Sequence, residues 1–375
     1  MRVAIIGAGP AGLYLAYLIK RRRPDADIVL VEQNPANATF GFGVVFSDRA
    51  LEFLRADDEA TYAAIAPRME TWDDITLFHR NERIAIDGIG FAAVGRLKLL
   101  QLLQERLRSV GVAPVFERAV KSLDEFGACD LIVGADGVNS LVRDKFADEF
   151  GASVHYRANR FAWFGASKSF ETLTQTFRHT PIGDFNAHHY RYAPSRSTFI
   201  VEVDEETFAR AGFERLEDAD TRTLCEKVFA DALGGQRLIS NNSIWRRFPQ
   251  VSNRNWHHGK YVLIGDAAHT AHFSIGSGTR LAMEDAIALD RALVEHGDDV
   301  AAALPAYEAA RRPIVEKIVA GAHASAAWYE RFAEHMKLAP MDFAMSYVMR
   351  SGRVDLERLR KLSPRFVERY KHERG

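Results

Sequence analysis

The chain has 375 residues, 47% of them hydrophobic, enough for a large core in two domains or one elaborate one. Its 49 Lys and Arg against 50 Asp and Glu leave a formal net charge of -1, so no global charge favours nucleic acid or an anionic membrane. Two cysteines, Cys129 and Cys225, give no disulfide framework and no metal-ligating set, which suits a reducing compartment. No apolar stretch reaches the ~18 residues a membrane helix needs. The first predicted strand begins at residue 2, leaving no room for a targeting peptide, so a cytoplasmic protein is expected.

The opening MRVAIIGAGPAG is a β-branched run followed by glycines. Residues 2–6 predict a buried parallel strand. Gly7, Gly9 and Gly12 then stand at the G-x-G-x-x-G spacing. The first permits a tight turn, the second lets a pyrophosphate approach the backbone, and the third lets the helix pack close to the strand. A helix is predicted from Ala11 to about Arg22, with free N–H groups and a positive dipole end toward the phosphates. Lys20-Arg21-Arg22-Arg23 either complements the C-terminal end of that helix or meets a partner. A second strand, 27–31, ends at Glu32, twenty residues after Gly12, where a carboxylate can accept from a ribose diol. Strand, glycines, helix and acid together predict a dinucleotide site.

Next, Phe40-Gly41-Phe42-Gly43-Val44-Val45-Phe46 is apolar but interrupted by glycines, a sign of close backbone approach. Ser47-Asp48 is read as the cap of a helix carrying Ala50, Leu51, Phe53 and Leu54. Residues 75–79 and 83–86 predict a hairpin. An amphipathic helix runs from Gly95-Arg96 toward Gly111. Residues 112–116 and 119–123 read as short strands, and 130–137 as a buried strand entering an Asp136-Gly137 turn. Aromatic-rich antiparallel strands follow at 161–167, 173–178, 187–192 and 197–203, with a helix near 220–232. Residues 260–264 return to a buried strand that delivers Gly265-Asp266. Helices are predicted at 278–296 and over 302–337, with Pro305 and Pro313 as boundaries, and in the charged tail, 351–375. The fold class is α/β: a Rossmann-like dinucleotide domain (1–74, 94–154 and 255–300) interrupted by an antiparallel-sheet domain (75–93 and 155–254), with C-terminal helices over 301–375.

Two further segments carry nucleotide chemistry. In DLIVGADGVNSLVR, residues 130–143, a strand delivers an acidic turn, and Arg143 is placed to compensate phosphate charge. In LIGDAAHTAHFSIGSGT, residues 263–279, Asp266 can accept from a ribityl or ribose hydroxyl. Gly276 and Gly278 open a helix whose N-terminus can face an electron-rich ring carbonyl.

GAGPAG with Glu32, then Asp136-Gly137, then Gly265-Asp266, in that order, resembles the single-component FAD-dependent aromatic hydroxylases, the p-hydroxybenzoate hydroxylase-like group, over nearly the whole chain to about residue 330. The resemblance implies that Gly7, Gly9, Gly12 and Glu32 hold the adenosine half of FAD. It implies that Arg96 meets the pyrophosphate, that Asp266 binds linked hydroxyls, and that Asp136 and Gly137 serve both FAD and NADH or NADPH. Two positions depart from the family: Phe273 stands where proline is usual, and Arg280 where asparagine is usual. HFSIGSGT, FGFGVVFSD at 40–48 and STFIVEVDEETF at 197–208 are similar to two subgroups. One comprises the salicylyl-CoA 5-hydroxylases and the monooxygenase half of 2-aminobenzoyl-CoA monooxygenase/reductases; the other is the violacein-pathway hydroxylase, which acts on an indole.

The chemistry implied by the resemblance is ring hydroxylation through a flavin hydroperoxide, with NAD(P)H and O2 consumed. The protein must then exclude water and hold an electron-rich ring. Within that reading an aromatic acyl-CoA thioester is preferred over an indole or a free acid. The alternatives are another aromatic metabolite, or a flavin reductase of the same fold that inserts no oxygen. Candidate catalytic residues are His188, His189 and His272; either sheet histidine could be a base or a substrate anchor. Strand alternation puts His188 and Tyr190 on one face and His189 and Arg191 on the other. Phe273, Tyr190 and Phe199 are candidate substrate contacts, with Trp163, Phe164 and Phe177 as further aromatic wall. Arg178, Arg191, Arg246 and Arg247 are candidates for a carboxylate or CoA phosphates. His269 and Asp285 are assigned to structure. No metal is expected, and the protein is expected to be a monomer or homodimer.

Overall fold

The computed structural model describes residues 1–47 and 51–374. Val3, Ala4 and Ile5 are fully buried in a strand on which the helix Pro10–Arg22 packs. The first sheet has the strand order His257–His258, Tyr261–Leu263, Leu131–Gly134, Arg2–Ile6, Asp27–Val31. All neighbours are parallel except the edge pair His257–His258 with Tyr261–Leu263. The helix Pro10–Arg22 starts directly after the glycines and packs against Gly278–Glu295. Its basic end is satisfied inside the chain. Lys20 donates to the Ala26 carbonyl, Arg21 pairs with Asp58, Arg22 with Asp290 and Arg23 with Asp298.

The second sheet is eight-stranded. Its path runs Leu238–Ile239, Ala152–Ala166, Arg196–Val203, Gly183–Ala193, Leu173–Thr180, Ile75–His79, Glu82–Ile86, and Arg246–Asn253 pairs off the path with Ala152–Ala166. The predicted hairpin over 75–86 is present and adds to the sheet by one parallel pairing, Ile75–His79 with Leu173–Thr180. A third, three-stranded sheet of Gly43–Ser47, Phe91–Gly95 and Glu70–Trp72 packs on the strand Gly183–Ala193 of the second. Arg246–Asn253 was not legible because Pro249 sits inside it; the ladder shifts register between Arg247 and Pro249, which accommodates the missing N–H.

Several local expectations are corrected. Residues 112–116 and 119–123 form no strands. Val115 makes a single bridge to Val31 at the sheet edge, then Glu117 at φ +55° turns the chain away, and Leu123–Phe126 is a 3-10 turn. Ser47 does not cap a helix: it ends the strand Gly43–Ser47, and the helix begins at Glu52 without a side-chain cap. Asp48 and Ala50 lie outside the described residues. Pro305 and Pro313 do not bound helices but lie inside one, Val300–Tyr329. Each forfeits one backbone hydrogen bond, while Leu304, Tyr307 and Val315 on the same helix are buried. That helix joins two cores. Leu304, Tyr307 and Val315 pack with the dinucleotide sheet, whereas Trp328 and Tyr329 pack with Phe177, Phe343 and Tyr347 under the second sheet.

Candidate active site

A cavity of about 770 Å³ runs from the glycine turn to the second sheet. Gly9, Gly137, Gly276 and Gly278 all line it. At the turn itself, Gly7 has φ +103° and a Cβ there would lie 2.3 Å from the Ala135 carbonyl oxygen, while a Cβ on Gly12 would lie 2.0 Å from the Gly7 carbonyl oxygen. Only glycine lets helix and strand close up in this way. A Cβ on Gly9, Gly137 or Gly278, by contrast, would meet nothing within 4 Å and would project into open space. The helices Pro10–Arg22 and Gly278–Glu295 also begin without a side-chain cap or a first-turn acid, so their N-terminal N–H groups are free for an anion.

Five arginines line the cavity, Arg96, Arg160, Arg246, Arg247 and Arg350, against one carboxylate among the described residues, Asp266. Neither Arg96 nor Asp266 makes a side-chain hydrogen bond or an ion pair among the described residues. Asp266 is open to the cavity yet enclosed by protein atoms: burial raises its pKa, and Arg96 opposes that rise. Burial likewise lowers Arg96, with Asp266 opposing. The loop bearing Asp266 is braced from behind. Asp285, fully buried, accepts from Gly265 N at 2.9 Å, from Arg311 Nε at 2.6 Å and hydrogen-bonds His269 Nε2 at 2.8 Å. Burial alone would raise Asp285, but His269 and Arg311 outweigh it and hold the carboxyl below the usual range. His269 and Asp285 therefore support the turn.

Glu32 does not line the cavity. It ties the glycine loop to the second strand, accepting from Ala8 N at 2.9 Å and from Asn34 N at 2.9 Å. Asp136 stands behind Gly137 and accepts from Leu141 N at 2.7 Å, and its Oδ1 is buried without a partner among the described residues. Arg143 faces inward rather than toward a phosphate: it donates to the Val138 carbonyl at 2.6 Å.

At the far end the walls are Phe91, Phe161, Leu173, Tyr190, Ile200 and Phe273. The strand alternation is as expected, and it separates the candidate histidines. His188 lines this cavity, whereas His189 faces the other side of the sheet, where its ring stacks on Phe199 with centroids 5.0 Å apart. His189 Nε2 is engaged by Thr176 Oγ1 at 2.9 Å. His189 and Phe199 are thus corrected out of the cavity, because the pleat sends odd and even residues to opposite faces. His272 is corrected too. Its ring is buried behind Phe273 and away from the lining, Nδ1 hydrogen-bonds Ser274 Oγ at 2.9 Å, and burial pushes its pKa down to about 3. Of the other aromatics, Trp163 lines the cavity, while Phe164 and Phe177 are core. Arg178 and Arg191 are spent on Asp231 and Glu70.

Sequence reading missed a buried chain around His188. His188 Nδ1 hydrogen-bonds Gln175 Nε2 at 3.0 Å, and His188 Nε2 lies 3.1 Å from Glu202 Oε2. Asn159 donates to Glu202 Oε1 at 2.8 Å, and the Tyr329 hydroxyl donates to Gln175 Oε1 at 3.2 Å. Burial lowers the His188 pKa, with Glu202 opposing. A Glu inside STFIVEV, alternating with apolar residues yet facing a histidine strand, was the one available signal. Tyr190 is locked by donation to the Gly43 carbonyl at 2.9 Å.

A Rossmann-type cradle opening into an aromatic-walled chamber defines a dinucleotide-dependent oxidoreductase. Two family models match: "FAD binding domain" over residues 111–322, and "NAD(P)-binding Rossmann-like domain" over residues 5–42. Among curated relatives, the salicyloyl-CoA 5-hydroxylase of Streptomyces sp is 44% identical over 94% of this chain and 70% of its own length. The 3-hydroxy-4-methyl-anthranilyl-(aryl-carrier protein) 5-monooxygenase of Streptosporangium sibiricum is 36% identical over 89% of this chain and 90% of its own. A solved structure of 2-methyl-3-hydroxypyridine-5-carboxylic acid oxygenase in its tetrameric form shares the fold, with TM-score 0.73, 20% identity, and 93% and 95% of the two chains covered. The chain belongs to the family of FAD-dependent aromatic hydroxylases, and it is a monooxygenase that uses FAD with NAD(P)H. No described helix is long and apolar enough to cross a membrane.

Proposed function

We propose that the chain hydroxylates the ring of an aromatic acyl-CoA thioester such as salicyloyl-CoA. One aromatic C–H, O2, NAD(P)H and a proton become C–OH, water and NAD(P)+. The observation that carries this reading is the continuity of one cavity from the glycine cradle to an aromatic-walled chamber; the two relatives above, both named for thioester-borne substrates, support the substrate class. Bound FAD supplies the redox chemistry and the activation of oxygen.

The chain's own groups do the rest. Gly9, Gly12, Gly137 and the helix starts at Pro10 and Gly278 receive the dinucleotide, with Arg96 against its phosphates and Asp266 against its hydroxyls. Glu32 and Asp136 act from behind the surface by fixing the turns. Gly276, at φ +62°, ends the Phe273–Ile275 turn, and a Cβ there would lie 2.9 Å from Val45. Phe273, Phe161 and Tyr190 hold the substrate ring and exclude water. His188 is the proton-holding group of the chamber. When Gln175 releases Nδ1, that atom accepts the proton of a phenolic hydroxyl, and Glu202 stabilises the charge through Nε2–H. Both cysteines are free and buried, which supports a reducing, cytoplasmic setting; light scattering distinguishes monomer from homodimer.

The test is NAD(P)H oxidation by the FAD-loaded protein with a panel of aromatic acyl-CoA thioesters, indoles and free acids. The thioester should stimulate oxidation most and gain one oxygen. Reduction of a substrate without oxygen insertion would overturn the hydroxylase reading.

A further inference from the structure

The mouth of the cavity has a composition that the dinucleotide cradle does not explain. Phe40, Tyr156 and Ile244 are 52%, 59% and 56% exposed, unusually so for large apolar side chains, and all three stand on the cavity rim. Arg160, Arg246 and Arg247 stand among them, on the paired strands Ala152–Ala166 and Arg246–Asn253, where Arg247 is directly opposite Arg160. Among the described residues, Arg160 and Arg246 form no ion pair and no side-chain hydrogen bond. Each lies over a ring instead, Arg160 over Phe208 at 4.9 Å and Arg246 over Phe40 at 5.9 Å. The Nε atoms of Arg160 and Arg247 are buried without a partner among the described residues. Arg247 alone has a carboxylate, Glu205 Oε1 at 2.6 Å. Three guanidinium groups therefore meet one carboxylate at the cavity opening of a chain whose net charge is -1.

Guanidinium forks fit phosphate oxygens, and exposed rings offer faces for a purine. We propose that this rim binds the phosphorylated nucleotide tail of the acyl-CoA substrate: Arg160, Arg246 and Arg247 take its phosphates, and Phe40 and Tyr156 flank its adenine. The aromatic acyl head then reaches the chamber while the tail stays at the surface. The inference rests on the thioester reading above. The same chemistry would suit NAD(P)H, and the experiment separates the two sources.

KM is measured for salicyloyl-CoA, for the N-acetylcysteamine thioester of the same acid, which lacks the nucleotide, and for NAD(P)H, in wild type, Arg246→Gln and Arg160→Gln. The KM ratio of the CoA thioester to the short thioester should rise about tenfold or more in each variant. Wild-type KM for the CoA thioester should also climb with salt more steeply than that for the short one. An unchanged ratio, or a rise confined to NAD(P)H, overturns the proposal. Calorimetric titration of FAD-loaded protein with free coenzyme A needs no turnover. Binding to wild type that is weakened in Arg246→Gln supports the rim even if salicyloyl-CoA is not hydroxylated; no binding to wild type overturns it.

Discussion

The two ends of the cavity are built from different material. The dinucleotide end is mostly backbone: glycine turns, two uncapped helix starts and a loop braced from behind by Asp285. The chamber end is side chain, contributed by strands of the second sheet, by the Phe273–Ile275 turn and by C-terminal residues such as Tyr347 and Arg350. Backbone cradles are dictated by steric rules that leave few sequences possible, so one end is constrained and the other is free to vary with substrate.

The largest effect separates these materials outright. Gly9→Val places its side chain in open cavity space, so the fold should persist while flavin absorbance after desalting falls close to zero. Gly12→Val should lose flavin and folding stability together, because its Cβ would collide with the Gly7 carbonyl. Stoichiometric flavin in Gly9→Val would place the dinucleotide elsewhere.

Next comes the brace. Asp285→Asn removes the charge that holds His269 and Arg311 in a buried setting, and should cost about 3–5 kcal/mol in urea unfolding. A loss below about 1 kcal/mol would show that the loop stands without it.

The two sheet faces supply a finer contrast. His188→Ala should lower hydroxylation about 100-fold with flavin loading intact, the size expected for a lost proton acceptor. His189→Ala, on the opposite face, should lower stability and leave product formation per NAD(P)H unchanged. Equal loss of coupling in both would dissolve the distinction between the faces.

The smallest effect is graded with pH. His188, His189 and His272 all have folded-state pKa values pushed down by burial, His272 to about 3. The unfolded chain therefore binds more protons below its ordinary histidine pKa, and stability should fall as pH drops from about 6.5, by up to about 1.4 kcal/mol per pH unit for each histidine. His272→Gln should flatten the profile between pH 6.5 and 4.5; an unchanged slope would mean that His272 charges freely in the folded state.

The same division governs what was legible. Gly7, Gly9 and Gly12 announce a turn at fixed spacing, and Gly265-Asp266 announces another, because only glycine satisfies the geometry. Period-two alternation placed His188 and Tyr190 together correctly. It could not say which face met the cavity, since both faces of the second sheet are buried; hence Phe199 and His189 were expected in the chamber and lie in the core behind it. His272 follows a recognised turn, yet its ring points behind that turn. The chain Tyr329–Gln175–His188–Glu202–Asn159 joins residues up to 170 positions apart, a distance no local pattern spans.

The most direct measurement is mass spectrometry of the product formed from salicyloyl-CoA by FAD-loaded protein and NAD(P)H under isotopically heavy dioxygen. A cavity that joins the flavin cradle to the aromatic chamber predicts a ring hydroxylated once, its new oxygen drawn from the gas. An unaltered thioester beside consumed NAD(P)H, or an oxygen drawn from water, would contradict it.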